Sequence, residues 1–406
     1  MIILGIETSC DETAVCVVEA TGGLESPSFS VLGNGLFSQV ALHAQYGGVY
    51  PNLAKREHGR NLPPLLQKAL QEAGLWRDSA EDGQAISELP VSHPSYSSNK
   101  SYLSHEPSWA KIEEILAKEH GVFEVFRASL EHIARPNIDL ITVTAGPGLE
   151  PALWVGISFA QALGELWNIP VLPTNHMEGH ISSVLVNTPE NAIVFPALAL
   201  LISGGHTELV EIQSWGQYKK IGQTRDDAVG EAFDKVARML SLPYPGGPEV
   251  SKRAHIAREK HLPKVFTLPR PMIHSHDFDF SFSGLKTSVL YTFKDHGELT
   301  EDEVADLCRE FEDAVTEVLI SKTSKALEEN GARTLIIAGG VVANTYIRES
   351  FTHLIEEKFP DITLRIPTKD MSTDNALMIA SAGYIEHLLH PEKVNRKIKA
   401  QGNMSF

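Results

Sequence analysis

The sequence predicts an α/β protein of two similar lobes with a ligand in the cleft between them. Three observations carry that prediction. Two buried strands joined by a polar turn occur over 2–20 and again over 197–212. Each pair is followed later by an apolar strand, a glycine turn and a helix, first around Ala145-Gly146-Pro147-Gly148 and then around Ala338-Gly339-Gly340. The spacing from Thr13 to Thr207 nearly equals that from Ala145 to Ala338, so an internal duplication accounts for the repeat. The 406 residues suffice for one large two-lobed enzyme.

Taken in order, 2–8 is an apolar strand and 13–20 its hairpin partner. The turn Ser9-Cys10-Asp11-Glu12 between them is polar and acidic, as a ligand-facing loop would be. A strand near 31–39 and a helix near 53–73 follow, the helix with Leu62, Leu65, Leu66 and Leu70 on one face. Residues 76–108 turn rich in Ser, Pro, Asn and acids and read as a mobile surface insertion. A helical pattern resumes over 109–134, then a strand over 138–144 and a helix over 151–167. The glycine turn between these last two either presents N–H groups to an anion or is simply a tight turn.

In the second half, Ser203-Gly204-Gly205-His206-Thr207 makes the hairpin turn. Residues 224–242 form an acid-rich helix with Val229, Phe233, Val236 and Leu240 inward and Asp234 beside that face. Residues 244–249 form a rigid turn, and 278–286 a strand entering a helix, its aromatics in the core. The strand over 334–337 leads into a helix with Asn344 in its first turn. Ser372 to Ala380 starts a last helix, capped by Thr373 or Asp374.

The chemistry centres on Asn175-His176-Met177-Glu178-Gly179-His180. If 175–187 is helical, His176 and His180 lie one above the other and form half of a divalent-metal site. For an isolated pair, capped or solvated histidines are the ordinary reading. Glu178 lies about 200° around the helix from His176, so it cannot serve as a zinc-protease base. A third ligand must come from elsewhere, and Asp374 is a hard carboxylate suited to complete the pair.

Composition narrows the class. With 42% hydrophobic and 21% charged residues, the chain has the profile of a soluble globular protein. Glu7 interrupts the N-terminus too early for a secretory signal, and no apolar run approaches a membrane span. Cys10, Cys16 and Cys308 form no zinc-ribbon spacing and leave an odd count, which fits a reducing cytoplasm. A net charge of -17 argues against indiscriminate nucleic-acid binding but leaves room for local basic surfaces. Two are candidates for phosphate contacts at the cleft mouth: Lys55, Arg56, His58 and Arg60, and Lys252, Arg253, Arg258 and Lys260.

At this point the motifs resemble those of the tRNA N6-adenosine threonylcarbamoyltransferases, formerly called O-sialoglycoprotein endopeptidases or glycoproteases, in their bacterial form. The pieces are 5–13, 43–51, 145–148, 175–180, 201–207, 230–235, 244–248, 339–344 and 373–376, in order along nearly the whole chain outside 76–108. The resemblance implies the two-lobed, duplicated actin/hexokinase/Hsp70-like fold. It implies lobes over 1–190 and 191–368, with 369–406 returning to the first. It also implies transfer of a threonylcarbamoyl group from threonylcarbamoyl-adenylate to N6 of the adenosine beside the anticodon of tRNAs reading ANN codons, with release of AMP. By the same resemblance His176, His180 and Asp374 hold one divalent ion, Fe2+ or Zn2+ ahead of Mg2+. The backbone of Leu201, Ile202, Ser203, Gly204 and Gly205, with Asp234, Gly247 and Asn344, holds the adenylate, and Glu249 adds a ribose contact. Ser9, Asp11 and Glu12 lie near the reacting group, where Asp11 or Glu12 orients N6 or takes its proton. The implied partners are tRNA, an inactive paralogue and a small ATPase, with no membrane, in the cytoplasm. A sugar or acetate kinase, a binding module without turnover and a protease are the competing classes; the histidine pair with Asp374 favours the transferase over the first.

Overall fold

The computed structural model describes residues 1–79, 106–119, 121–186 and 193–406. Most of the 76–108 insertion lies outside the described residues. Its stem is anchored: Asp78 bridges to Ile133, and Ser79 N–H donates to the His132 carbonyl.

The first lobe opens with β1 (Ile2–Glu7), β2 (Glu12–Thr21) and β3 (Ser28–Ser38). Then come α1 (Val40–Ala44), α2 (Pro51–Glu72), α3 (Trp109–Leu116), α4 (Val122–Leu130), β4 (Leu140–Gly146), α5 (Glu150–Trp167), β5 (Val171–Asn175) and α6 (His176–Ser182). The strands pair in the order β3-β2-β1-β4-β5, the hairpin antiparallel and β1, β4 and β5 parallel. The periodic stretch 109–134 is two helices rather than one, because Gly121 at φ 77 stands before α4 in a left-handed turn.

The second lobe repeats this plan with β6 (Ala197–Ile202), β7 (Thr207–Ser214), β8 (Gln217–Gln223), α7 (Val229–Met239), α8 (Gly246–Glu259), α9 (Ser283–His296) and α10 (Glu301–Asn330). It continues with β9 (Thr334–Ala338), α11 (Thr345–Lys358), β10 (Thr363–Arg365), α12 (Lys369–Ser372) and α13 (Ala376–Leu389). Its sheet runs β10-β9-β6-β7-β8, the same order strand for strand, with the same parallel and antiparallel pairings. The fold is therefore a duplicated two-lobed α/β fold of the actin/hexokinase/Hsp70 type.

Other details also differ from the sequence expectation. Residues 224–228 are not helical: Thr224 bridges to Phe280, and the Asp226 side chain accepts from the backbone of Phe282 and Ser283, so this segment is held as a bend against the start of α9. The turn over 244–249 is the start of α8, whose first residue is Gly246. The strand β8 was not foreseen, because an exposed edge strand with little apolar surface leaves little alternation to read.

Two core clusters fill the outer faces of the two sheets, each against its own helices. The third lies between the sheets and joins Ile3, Val18, Ala199 and Val210 to Met177 and Ile181 of α6 and Leu377, Ala380 and Tyr384 of α13. These two helices are thus sandwiched between the lobes. α13 packs closely on the first sheet; a Cβ on Gly383 would stand 2.2 Å from Thr142 Cγ2, so only glycine fits there. The sandwich brings the C-terminal segment beside the histidine helix.

Candidate metal centre and interlobe cleft

Asn175 caps α6 by accepting from Met177 N at 2.8 Å. One helical turn then places the His176 and His180 rings 4.7 Å apart at 83°. The helix ends at Ser182, sooner than the sequence suggested, but the pair needs only its first turn and a half. Asp374 sits just before α13. Neither Thr373 nor Asp374 caps that helix; Asn375 does, accepting from Met378 N at 3.0 Å. Asp374 is therefore free to face the histidines, with its Oδ1 3.5 Å from His176 Nε2 and 3.4 Å from His180 Nε2. One ligand atom from each residue lies within 4.8 Å of the others, a group that can hold a metal ion.

The donor set fits such an ion. His176 Nδ1 lies 3.3 Å from Glu7 Oε2 and 3.3 Å from Ser9 Oγ, which places its proton on Nδ1 and leaves the Nε2 lone pair toward Asp374. Glu7 is itself fixed, accepting from Ser9 N and Thr144 Oγ1, each at 2.5 Å. His180 is 1% exposed, and neither of its ring nitrogens has a hydrogen-bond partner. A ligated ion at Nε2 accounts for one of these orphans. Burial alone would lower the His176 pKa, but the Asp374 and Glu7 carboxylates raise it to about 9, so a ligated ion would take the place of the Nε2 proton. Burial would likewise raise Asp374, yet His176 and His180 hold it below the usual carboxylate range. The pocket is electrostatically set for positive charge.

A cavity of about 540 Å³ opens from this group between the lobes. The first lobe contributes Ser9, Asp11, Glu12 and the 147–149 turn; the second contributes Ser203, Gly204, Gly205, His206, Asp234 and Tyr244. Burial, Asp11 and Asp374 push Glu12 up to about 10, so its carboxyl keeps its proton at neutral pH. An adjoining cavity of about 400 Å³ shares Gly204, Asp234 and Gly340 with the first and is lined also by Phe233, Gly247 and Asn344. Asp234 Oδ1 caps α8, accepting from Gly246 N at 2.7 Å. Asn344 caps α11 rather than lying within it, and its Nδ2 donates to Glu312 Oε1 at 2.6 Å.

Three expected adenylate residues lie outside both linings. Leu201 and Ile202 end β6, in register with Glu208 and Thr207, with their side chains in the core. Glu249 lies in the first turn of α8, beside lining residues Pro248 and Ser251. The glycine turn at 145–148 also proves structural rather than anion-binding. Gly148 N–H donates to the Gly402 carbonyl and Leu149 N–H to the Ser9 carbonyl, so neither faces the cleft free. Gly148 has φ 155, and a Cβ there would meet Ser9 O at 2.7 Å. By contrast Gly204 and Gly205 have open space where a Cβ would stand, so the second-lobe turn is the surface a ligand can approach.

A model of the family TsaD, tRNA N6-adenosine threonylcarbamoyltransferase, matches residues 30–84 and 124–381. The chain belongs to that family. The enzyme of that name from Polynucleobacter asymbioticus is 40% identical over 397 residues, covering 96% of this chain and 93% of that one. The one from Chromobacterium violaceum is 40% identical over 387 residues, covering 94% and 92%. Among solved structures, the HypF of T. kodakarensis aligns over 67% of this chain and 43% of its own, with TM-score 0.47 and 15% identity. No helix among the described residues is long and apolar enough to cross a membrane.

In this transferase Glu178 turns from the histidine pair toward Glu386 of α13 and Lys393 just beyond that helix. Glu178→Ala is expected to keep both bound metal and transfer, measured by metal analysis and product formation; a protease base in that position would predict loss of activity. The expected basic clusters are only partly present. His58 is fully buried, and Arg258 is engaged by Glu312 and Asp313 and stacks on Tyr346. Arg56 and Arg60 remain outward, 66% and 70% exposed, sharing the single carboxylate of Glu57. Sequence reasoning missed Glu7 as the anchor of His176 and Glu312 as the partner of Asn344. An acid at the end of an apolar strand was the only visible signal for the first.

Proposed function

We propose that the chain transfers the threonylcarbamoyl group of threonylcarbamoyl-adenylate to N6 of the adenosine 3′ to the anticodon in tRNAs reading ANN codons, releasing AMP. The observation that supports this reading most is the union, in one cleft, of a three-residue metal group with an acidic turn on one side and an open glycine turn on the other. The adenylate lies over Gly204 and Gly205, its nucleoside in the cavity of Gly247 and Asn344. Its carbamoyl end then reaches Ser9, Asp11 and Glu12. N6 attacks the carbamoyl carbon; the bond from that carbon to the phosphate oxygen breaks, and AMP leaves with the electron pair. The N6 proton passes to Asp11, while Glu12, holding its own proton, donates a hydrogen bond to the carbamoyl oxygen. His176, His180 and Asp374 would hold Fe2+ or Zn2+, with Mg2+ third by donor type, and the ion when bound offsets phosphate charge. An inactive paralogue and a small ATPase are the proposed protein partners, in the cytoplasm.

The test is incubation of the full chain with tRNA, threonylcarbamoyl-adenylate and these partners, followed by nucleoside mass spectrometry. Appearance of threonylcarbamoyladenosine with stoichiometric AMP supports the reading; consumption of the adenylate with unmodified tRNA overturns it. Arg56 and Arg60 are the phosphate contacts in this account. Replacing both by Glu is expected to weaken tRNA binding and to lower its salt slope by about 1 per lost contact. An unchanged slope across a salt series would remove them from the interface.

A further inference from the structure

The segment 45–50 joins α1 to α2 and carries two outward aromatics, Tyr46 at 60% and Tyr50 at 53% exposure. Their rings stack on each other, with centroids 5.8 Å apart and planes at 26°. Between them Gly47, Gly48 and Val49 line the interlobe cavity that also contains Asp11 and Glu12. The aromatic pair therefore stands at the lip of the site.

This lip is fixed from two sides. Arg238 of α7 reaches across the cleft and donates to the Gly47 carbonyl. On the other side a buried polar chain begins where Tyr50 N–H donates to His43 Nδ1 at 3.2 Å. His43 Nε2 meets Gln39 Oε1 at 3.2 Å, Gln39 Nε2 meets His58 Nδ1 at 3.3 Å, and His58 Nε2 meets the Cys10 carbonyl at 3.0 Å. The ends set every proton. A backbone N–H only donates, so His43 carries its proton on Nε2; a carbonyl only accepts, so His58 does the same. Burial lowers both imidazoles, His58 to about 4, which keeps the chain neutral and ordered. The aromatic lip is thereby registered against the turn that bears Ser9, Asp11 and Glu12.

We propose that Tyr46 and Tyr50 form a stacking platform for the nucleobase next to the adenosine whose N6 reacts. The proposal rests on the transferase reading. An adenine whose exocyclic nitrogen is to enter a cavity must leave its stack, and its neighbour then loses one stacked face. An exposed aromatic face replaces that contact without regard to base identity. Arg56 and Arg60 follow on α2, outward and sharing the Glu57 carboxylate, so positive charge for the adjoining phosphates lies on the helix that begins just after Tyr50. In a chain of net charge -17, that pairing of aromatics and arginines matches a single-stranded RNA loop.

The test uses the full chain and a labelled anticodon stem–loop RNA, read by fluorescence anisotropy, with AMP binding measured in parallel. The double variant Tyr46→Ala/Tyr50→Ala is expected to bind the RNA about 5- to 100-fold more weakly while binding AMP normally. Tyr46→Phe/Tyr50→Phe is expected to bind as the wild type does. An RNA lacking the base beside the reacting adenosine should lose the same factor with the wild type and nothing further with the alanine pair. If the alanine pair binds intact RNA like the wild type, or loses as much again on the base-free RNA, the platform is wrong and the transferase reading stands. If the alanine pair also loses AMP, the phenylalanine pair and the base-free RNA decide. A wild-type chain that, with the paralogue and the ATPase present, binds AMP but no stem–loop overturns both.

Discussion

His180→Ala and Asp374→Asn are expected to abolish stoichiometric metal binding and threonylcarbamoyl transfer together while leaving the fold intact. His180 is buried with neither ring nitrogen hydrogen-bonded, and Asp374 Oδ1 faces both histidines at 3.4–3.5 Å. Loss of an outer partner of a metal typically costs 10–100-fold in affinity, so loss of a direct ligand should exceed about 100-fold. Three protein ligands also leave open positions, as a catalytic centre needs. The fold does not depend on the ion, because the cores of both lobes and the interlobe sandwich are built from apolar side chains. Metal content, melting temperature and nucleoside product of the two variants check this. Full metal and full activity in His180→Ala would mean that the histidines are merely buried structural groups.

The second large effect is expected at Glu7, which is fully buried and accepts from Ser9 N, Thr144 Oγ1 and His176 Nδ1. Glu7→Ala strands a buried N–H and a hydroxyl, each costing about 1–3 kcal/mol, and should lower the melting temperature markedly. Glu7→Gln keeps the shape and an acceptor for Ser9 N, so the fold should survive. It removes the negative charge that holds the His176 proton on Nδ1, and metal affinity is expected to fall about 10–100-fold. Equal metal affinity in Glu7→Gln and the wild type would show that the carboxylate does not support the ligand.

How much of this was legible in the sequence follows from where each signal resides. The two hairpins and the strand–glycine–helix units could be read because buried strands make continuous apolar runs and the duplication repeats them. The histidine pair could be read because four-residue spacing sets two side chains on one helical face. The cap of α13 was misread because Thr373, Asp374 and Asn375 are all able to cap, and only the geometry shows Asn375 taking the role and freeing Asp374. The sequence leaves the turn at 145–148 open between two roles, because the N–H groups of Gly148 and Leu149 are taken by Gly402 and Ser9, partners remote in sequence. His58 was grouped with its basic neighbours, yet its ring turns inward to Thr13 and the Cys10 carbonyl, which only the packing of α2 on the first hairpin determines.

The central claim is that the cleft holds a metal ion on His176, His180 and Asp374 beside the adenylate. Anomalous diffraction at the absorption edge of the bound metal, from crystals of the full chain grown with AMP, tests it most directly. The account predicts one peak about 2.0–2.2 Å from His176 Nε2, His180 Nε2 and an Asp374 oxygen, with AMP density running over Gly204 and Gly205. A peak elsewhere in the chain, or AMP seated away from that glycine turn, would contradict it.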